Sequence, residues 1–447
     1  IDIHPKPFGQ QPLWCEFVTE TARDLCAQRS HQKQHSMTFA SLVISVLVPF
    51  AWGSCLPDAI APEARQDLVN PNGETYPVGL YSCGWAASRA SHVLAATLIK
   101  EVLGYNTQIN EELGSGTVAG YYGITGCRTP NNAADRGCMQ GVSYYHVHME
   151  AWDGYRSDMA HIRKTYASMA PINKGSMGYK GVTTMYIPAS VQAQAYSTAG
   201  KALEFFRAWN ASWNRPSDYF NTISSVDQKN LMPCSKPALS DDAAMQRHVK
   251  HTGDADGVVI DTDGKHFGRC DDGFWWLAPS CRSNSSQCVP MLTGGNGWGL
   301  EEFMQKYTAF NMPGAIATAA DWGNYTSLPL TGDIAMYWWT PDPSFLAVAP
   351  LPVVFPSLST RLREEGILLG IDAGAEIETL VSSDLAILSP LVERFADNID
   401  ITLSQMTEML MDHVNNPTDT WEEVTCRWIK GNEATWRKWI PDELRRI

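Results

Sequence analysis

From about residue 75 onward, short apolar runs alternate with amphipathic stretches of helical period, and that alternation confines the chain to α/β architectures. Residues 90–103 place Val93, Leu94, Leu98, Ile99 and Val102 on one helical stripe. Gly104 supplies the cap, and Tyr105 to Ile109 reads as a strand. Further helices are predicted over 200–209 and 300–310, and strands over 142–149, 257–261 and 332–339. Three more helices are predicted at 384–397, 401–414 and 418–439. The last presents Trp421, Trp428, Trp436 and Trp439 near helical spacing, a stripe better suited to core packing than to a ligand. At 447 residues the chain is too long for one core, so two lobes beside an N-terminal piece are expected.

That N-terminal piece reads as a targeting region. Phe39 to Ala51 is an apolar run of signal-peptide length, too short to span a bilayer comfortably, and Met37 stands just before it. Residues 1–55 are expected to be leader, with a signal peptide over about 37–55, followed by a linker over 56–74. Cysteine usage agrees with secretion. Of the 11 cysteines, Cys15, Cys26 and Cys55 would leave with the leader. The remainder, Cys83, Cys127, Cys138, Cys234, Cys270, Cys281, Cys288 and Cys426, is even in number and contains no CxxC pair. Disulfides of open connectivity are the expectation, not zinc or dithiol redox chemistry. Sequons at Asn210, Asn284 and Asn324 suit a secreted glycoprotein. A net charge of −14 argues against a nucleic-acid partner and is compatible with a cationic ligand.

Tryptophans stand where such a ligand would meet them. A trimethylammonium nitrogen has no proton to donate, so it is held by aromatic faces, each contact worth roughly 0.5–2 kcal/mol. Trp152 follows the strand-like YYHVHMEA. Trp298 lies in the glycine-rich turn at 294–299, before a predicted helix. Trp338 and Trp339 end a strand and lead into Thr340-Pro341, and Trp85 precedes the helix at 90. Strand alternation is expected to turn Trp338 away from Trp339.

These segments resemble the substrate-binding proteins of ABC importers for quaternary-ammonium osmolytes, the glycine betaine and choline family. YWWTP at 337–341 looks like that family's W-T-P segment, GGNGW at 294–298 like its second-lobe turn, and VHMEAW at 147–152 like a first-lobe strand end. TLIKEVLGYNTQI, GSMGYKGVTTMYIPASV and WIKGNEATWRKWIP resemble the first helix and strand, the first crossing between lobes and the closing helix. The resemblance spans about 75–447 and is patchy across 210–290. It implies a two-lobed, type II periplasmic-binding-protein-like α/β fold, with the ligand cleft between lobes and two hinge crossings. Lobe one would comprise 75–187 and 368–447. Lobe two would be 188–367, with a disulfide-rich insertion at about 210–295.

The same resemblance assigns the aromatic box to Trp152, Trp298 and Trp339, with Trp85 added by analogy with choline binders. Asp342 departs from the pattern, because many betaine binders place His or an aromatic residue after W-T-P. An acid there would repel a ligand carboxylate and could accept a hydrogen bond from a hydroxyl tail such as choline's. The implied function is capture of glycine betaine, choline or a similar solute by a secreted, monomeric protein that serves a membrane ABC permease. It is not an enzyme and needs no cofactor or metal.

Two other readings compete. His146, His148 and Glu150 alternate along one strand, and H-x-H-x-E invites a metal-assisted secreted enzyme, but nothing in the sequence points to a further ligand. Trp platforms also stack on sugars, which leaves a carbohydrate-binding protein as the second alternative. The acidic stretch Asp254, Asp256, Asp261 and Asp263 fails the EF-hand pattern.

Overall fold

The computed structural model describes residues 54–111, 116–132, 136–138, 143–152, 156–235, 239, 241–294, 298–343, 349–371 and 374–445. The signal-like run at 39–51, Cys15 and Cys26 lie outside the described residues. Eleven strands among these join one sheet. They are β1 (Val78–Ser82), β2 (Thr107–Glu111), β3 (Val147–Trp152), β4 (Ile172–Ile187), β5 (Leu231–Met232), β6 (Trp276–Leu277), β7 (Val289–Thr293), β8 (Gly314–Ala319), β9 (Ala335–Thr340), β10 (Leu351–Pro352) and β11 (Ala375–Val381).

The sheet has two halves built alike. In one, β1 runs parallel to β2 and β3, and β11 pairs antiparallel with β3. In the other, β7 runs parallel to β8 and β9, while the short β5 and β6 pair antiparallel with β8. Strand β4 belongs to both. Its residues 172–181 pair with β11, and its residues 182–186 pair with Met336 to Thr340 of β9. This is the first crossing. The chain returns after β9 through β10, which pairs with the end of β4, to β11. Strands β1, β7 and β8 are buried at every position, as expected for parallel strands covered on both faces. The result is an α/β fold whose two sheet halves share the single strand β4.

Each half has its own apolar core. Around β1 pack helix α1 (Ala86–Leu98) and the C-terminal helices. The Trp stripe lies there: Trp421, Trp428, Trp436 and Trp439 are all buried. The other core gathers Trp209, Trp275, Trp276, Met291, Phe303 and Phe355. Cys234 pairs with Cys270 and Cys281 with Cys288 beside it.

Several elements differ from expectation for identifiable reasons. The helix predicted at 200–209 is instead Ala189–Ala199, closed by Gly200 at φ 63, after which only a 3-10 turn forms at Phe206–Trp209. The strand predicted from 142 starts at Val147. The helix predicted over 384–397 breaks at Ser389, which caps a new helix with Pro390 at its first position.

Residues 56–74, expected as a linker, are packed. Leu56 and Leu68 are buried, and the Glu101 carboxylate accepts from the backbone N–H of Cys55 (2.9 Å) and Leu56 (2.7 Å). Cys55 therefore does not belong with the leader; it pairs with Cys426, and Cys127 pairs with Cys138. Cys83, counted among the disulfide cysteines, is a buried thiol 3.6 Å from the Gly116 carbonyl oxygen.

The Cys55–Cys426 bridge ties residues 371 positions apart. Replacing both with alanine is expected to lower unfolding free energy by about 2–4 kcal/mol. Equilibrium urea unfolding checks this; an unchanged midpoint would show that packing of Leu56 alone holds the segment.

Candidate ligand-binding site

The candidate rings come from the carboxyl ends of the parallel strands of the two halves, which point toward one another at the middle of β4. Trp85 follows β1, Trp152 closes β3, Trp298 follows β7 and Trp339 lies near the end of β9. In open parallel sheets this carboxyl end is where ligands bind, because helix N-termini and irregular backbone converge there. The order of the motifs along the chain thus becomes proximity in space.

On the second half, Trp298 meets Trp339 edge-to-face, with centroids 5.4 Å apart and planes at 83°. Two rings unmarked in the sequence complete this wall. Helix α2 (Trp322–Thr331) begins after β8, where Asp321 caps it by accepting from the Asn324 N–H at 2.8 Å. That cap places Trp322 and Tyr325 three residues apart, on one helical face. Trp322 lies 6.2 Å from Trp298 and 6.1 Å from Trp339, and it is 42% exposed, the most open ring of the group. Tyr325 stacks on Trp338 at 4.7 Å. Trp338 does not turn away from Trp339 as alternation suggested; the two rings stack at 5.2 Å and 8°. Trp322 and Tyr325 offer stacking surface to both rings, and Tyr325, Trp338 and Trp339 join the buried cluster that contains β1 and β3 residues.

On the first half, the organising group is a carboxylate. Glu150 is fully buried. Its Oε2 accepts from the indole N–H of Trp85 and, at 3.1 Å, from that of Trp152; its Oε1 accepts from the Tyr179 hydroxyl. A bulge explains its direction. Between Leu380↔His148 and Glu378↔Ala151, two residues of β3 oppose one of β11, and Glu150 takes the left-handed conformation at φ 57. The H-x-H-x-E alternation is therefore broken. His148 Nδ1 lies 2.9 Å from the Tyr81 carbonyl oxygen, and His146 Nδ1 accepts from the Gly79 N–H, while Glu150 faces the indoles. Burial lowers the pKa of His148 and His146 to about 4, so both are neutral near pH 7. Among the described residues no group of three or more His, Cys, Asp or Glu could hold a metal.

The two walls approach one another. A Cβ at Gly116, which precedes the helix Thr117–Ile124, would lie 3.7 Å from Trp298 Nε1. Gly181 on β4 is covered by the Trp152 ring, and any side chain there would displace it. Asp342 is 6% exposed, and its charge acts on Glu150. Burial, reinforced by Asp342, raises the Glu150 pKa to about 7 against the three hydrogen bonds that favour its charged form. Elsewhere, Asn284 is exposed, whereas the side-chain amides of Asn210 and Asn324 donate to the Phe310 carbonyl oxygen and the Asp321 carboxylate.

The Glu150 pKa is displaced upward from 4.5, so the fold holds this proton more tightly than the unfolded chain does. Ligand-free stability should fall as pH rises from about 4.5 through 7 and level off above. Across that window the loss amounts to roughly 3 kcal/mol. Glu150→Gln is expected to be more stable than the parent at pH 8 and similar to it below pH 4.5, a difference that denaturant unfolding at both pH values reads directly. Separately, Gly181→Val should move the Trp152 ring, seen as altered near-ultraviolet circular dichroism with little change in the far-ultraviolet spectrum.

No family model matches the chain, and no curated protein matches it. Solved structures similar in arrangement include an ABC-transporter choline binding protein in complex with choline (15% identity, TM-score 0.46, covering 81% of this chain and 90% of that one). Lactococcal OpuAC in its closed-liganded conformation with glycine betaine is similar at 13% identity and TM-score 0.42, covering 81% and 99%. The glycine/betaine/L-proline-binding protein ProX from Borrelia burgdorferi is similar at 10% identity and TM-score 0.45, covering 83% and 98%.

Proposed function

We propose that the chain captures a small quaternary-ammonium or sulfonium solute, such as glycine betaine, choline or a relative, between its two lobes and hands it on for transport across a membrane. The observation that carries this reading is the pairing of a multi-ring aromatic wall with a buried carboxylate. Trp298, Trp322 and Trp339 supply π-faces for the methyl groups of an onium ion. Trp85 and Trp152 stand around Glu150 from the other half. Among the described residues, the groups that act on the charge of Glu150 are Tyr179, Trp85, Trp152 and Asp342, and none of them is a cation. A cationic ligand would supply the missing counter-charge, and the rings would stabilise it without needing a donor on its nitrogen.

The two crossings, β4 and the return through β10, supply the hinge that such capture uses. Capture and release require no metal, cofactor or covalent step. The four disulfides among the described residues suit an oxidising compartment, which agrees with export.

Calorimetric titration of the full chain with choline, glycine betaine, dimethylsulfoniopropionate and the neutral carbon isostere of choline tests the reading. At least one onium compound should bind and the isostere should not. Trp339→Ala and Trp298→Ala should each weaken binding by roughly 2- to 30-fold. Heat from neutral sugars and none from any onium compound would replace this reading with a carbohydrate platform.

A further inference from the structure

A ring box can hold an onium ion without any acid, so the presence of a fully buried carboxylate in the first wall needs its own account. We propose that Glu150 is the specificity-determining residue of the site: it positions Trp85, Trp152 and Tyr179 through one carboxylate and selects cations with an uncharged tail over zwitterions. This rests on reading the ring cluster as an onium site.

The geometry supports both halves of the assignment. Three donors from three separate elements converge on one side chain: Trp85 from the turn before α1, Trp152 from β3 and Tyr179 from β4. The bulged, left-handed backbone at Glu150 is a conformation that residues other than glycine seldom adopt, and it is what aims the carboxylate at these donors. The Glu150 N–H is taken by Met177 Sδ at 2.9 Å, which leaves the carboxylate as the residue's contribution to the site. Among the described residues, the titratable and charged groups that act on Glu150 are Tyr179 on β4 and Asp342 after β9, neither of them a cation. A ligand carboxylate entering here would meet Glu150 and Asp342 as like charges in a desolvated cleft, whereas a hydroxyl tail would find acceptors.

Proton linkage gives an independent readout. Because the Glu150 carboxyl is held near neutrality by burial, an arriving cation favours its ionised form and displaces its proton below about pH 7. Affinity for a simple onium ion should therefore fall as pH falls through that region, approaching roughly tenfold per pH unit at the acid end.

The test is calorimetry on the full chain and on Glu150→Gln and Glu150→Asp, with tetramethylammonium, choline and glycine betaine at pH 5.5 and 8. The parent is expected to favour choline over glycine betaine by about tenfold or more at pH 8. Glu150→Gln should bring the two affinities together and flatten the pH profile. Glu150→Asp, which keeps the charge, should retain the preference and the pH dependence at reduced affinity. A purely structural role would weaken all three ligands alike and leave the pH profile unchanged, and that outcome overturns the proposal. So does a parent protein that prefers glycine betaine. If no onium compound binds the parent at either pH, the ring-box reading fails and takes this assignment with it.

Discussion

Strand β4 pairs with β11 along its first part and with β9 along its second, so one continuous backbone belongs to both halves of the sheet. Everything at the candidate site depends on that arrangement. Each half points the carboxyl ends of its parallel strands toward the middle of β4, so rings at or just beyond those ends lie toward one another. Gly181 lies on β4 where its pairing passes from one half to the other, and its lack of a side chain lets the Trp152 ring lie against the connecting strand. The first wall and the strand that joins the two halves are therefore in direct contact.

The chemistry of the site follows from putting a carboxylate where it is poorly solvated. Glu150 receives three hydrogen bonds, yet burial and Asp342 still push its proton affinity well above that of an exposed glutamate. Such a group is costly to ionise in isolation and inexpensive to ionise beside a cation. The aromatic wall opposite offers a surface suited to a weakly hydrated cation and poorly suited to an anion, because the ring faces carry partial negative charge.

Much of this was legible in residue order. The α/β alternation, the helix ending at Gly104, the helix at 300, the Trp stripe buried in the C-terminal helices and four tryptophans near strand ends were all apparent from local pattern. Trp322 and Tyr325 had a readable signal, an Asp cap followed by aromatic residues three apart directly after an apolar strand. Glu150 did not. Its sequence neighbourhood suggested a metal-ligating face, because period-two alternation puts His146, His148 and Glu150 together. The bulge that separates them arises from pairing with β11, more than two hundred residues further along the chain.

What the sequence alone determined was the periodicity of the elements and the types of side chain available to a ligand, since both are set by local backbone geometry and residue chemistry. The tertiary structure alone decided which side chains meet. It paired Cys55 with Cys426 and drew the supposed linker into the core. It stacked Trp338 on Trp339 against alternation, because α2 gives both rings a surface. It also turned Glu150 from a strand-face residue into the centre of a ring cluster, because strand register is a long-range property that a local pattern does not contain.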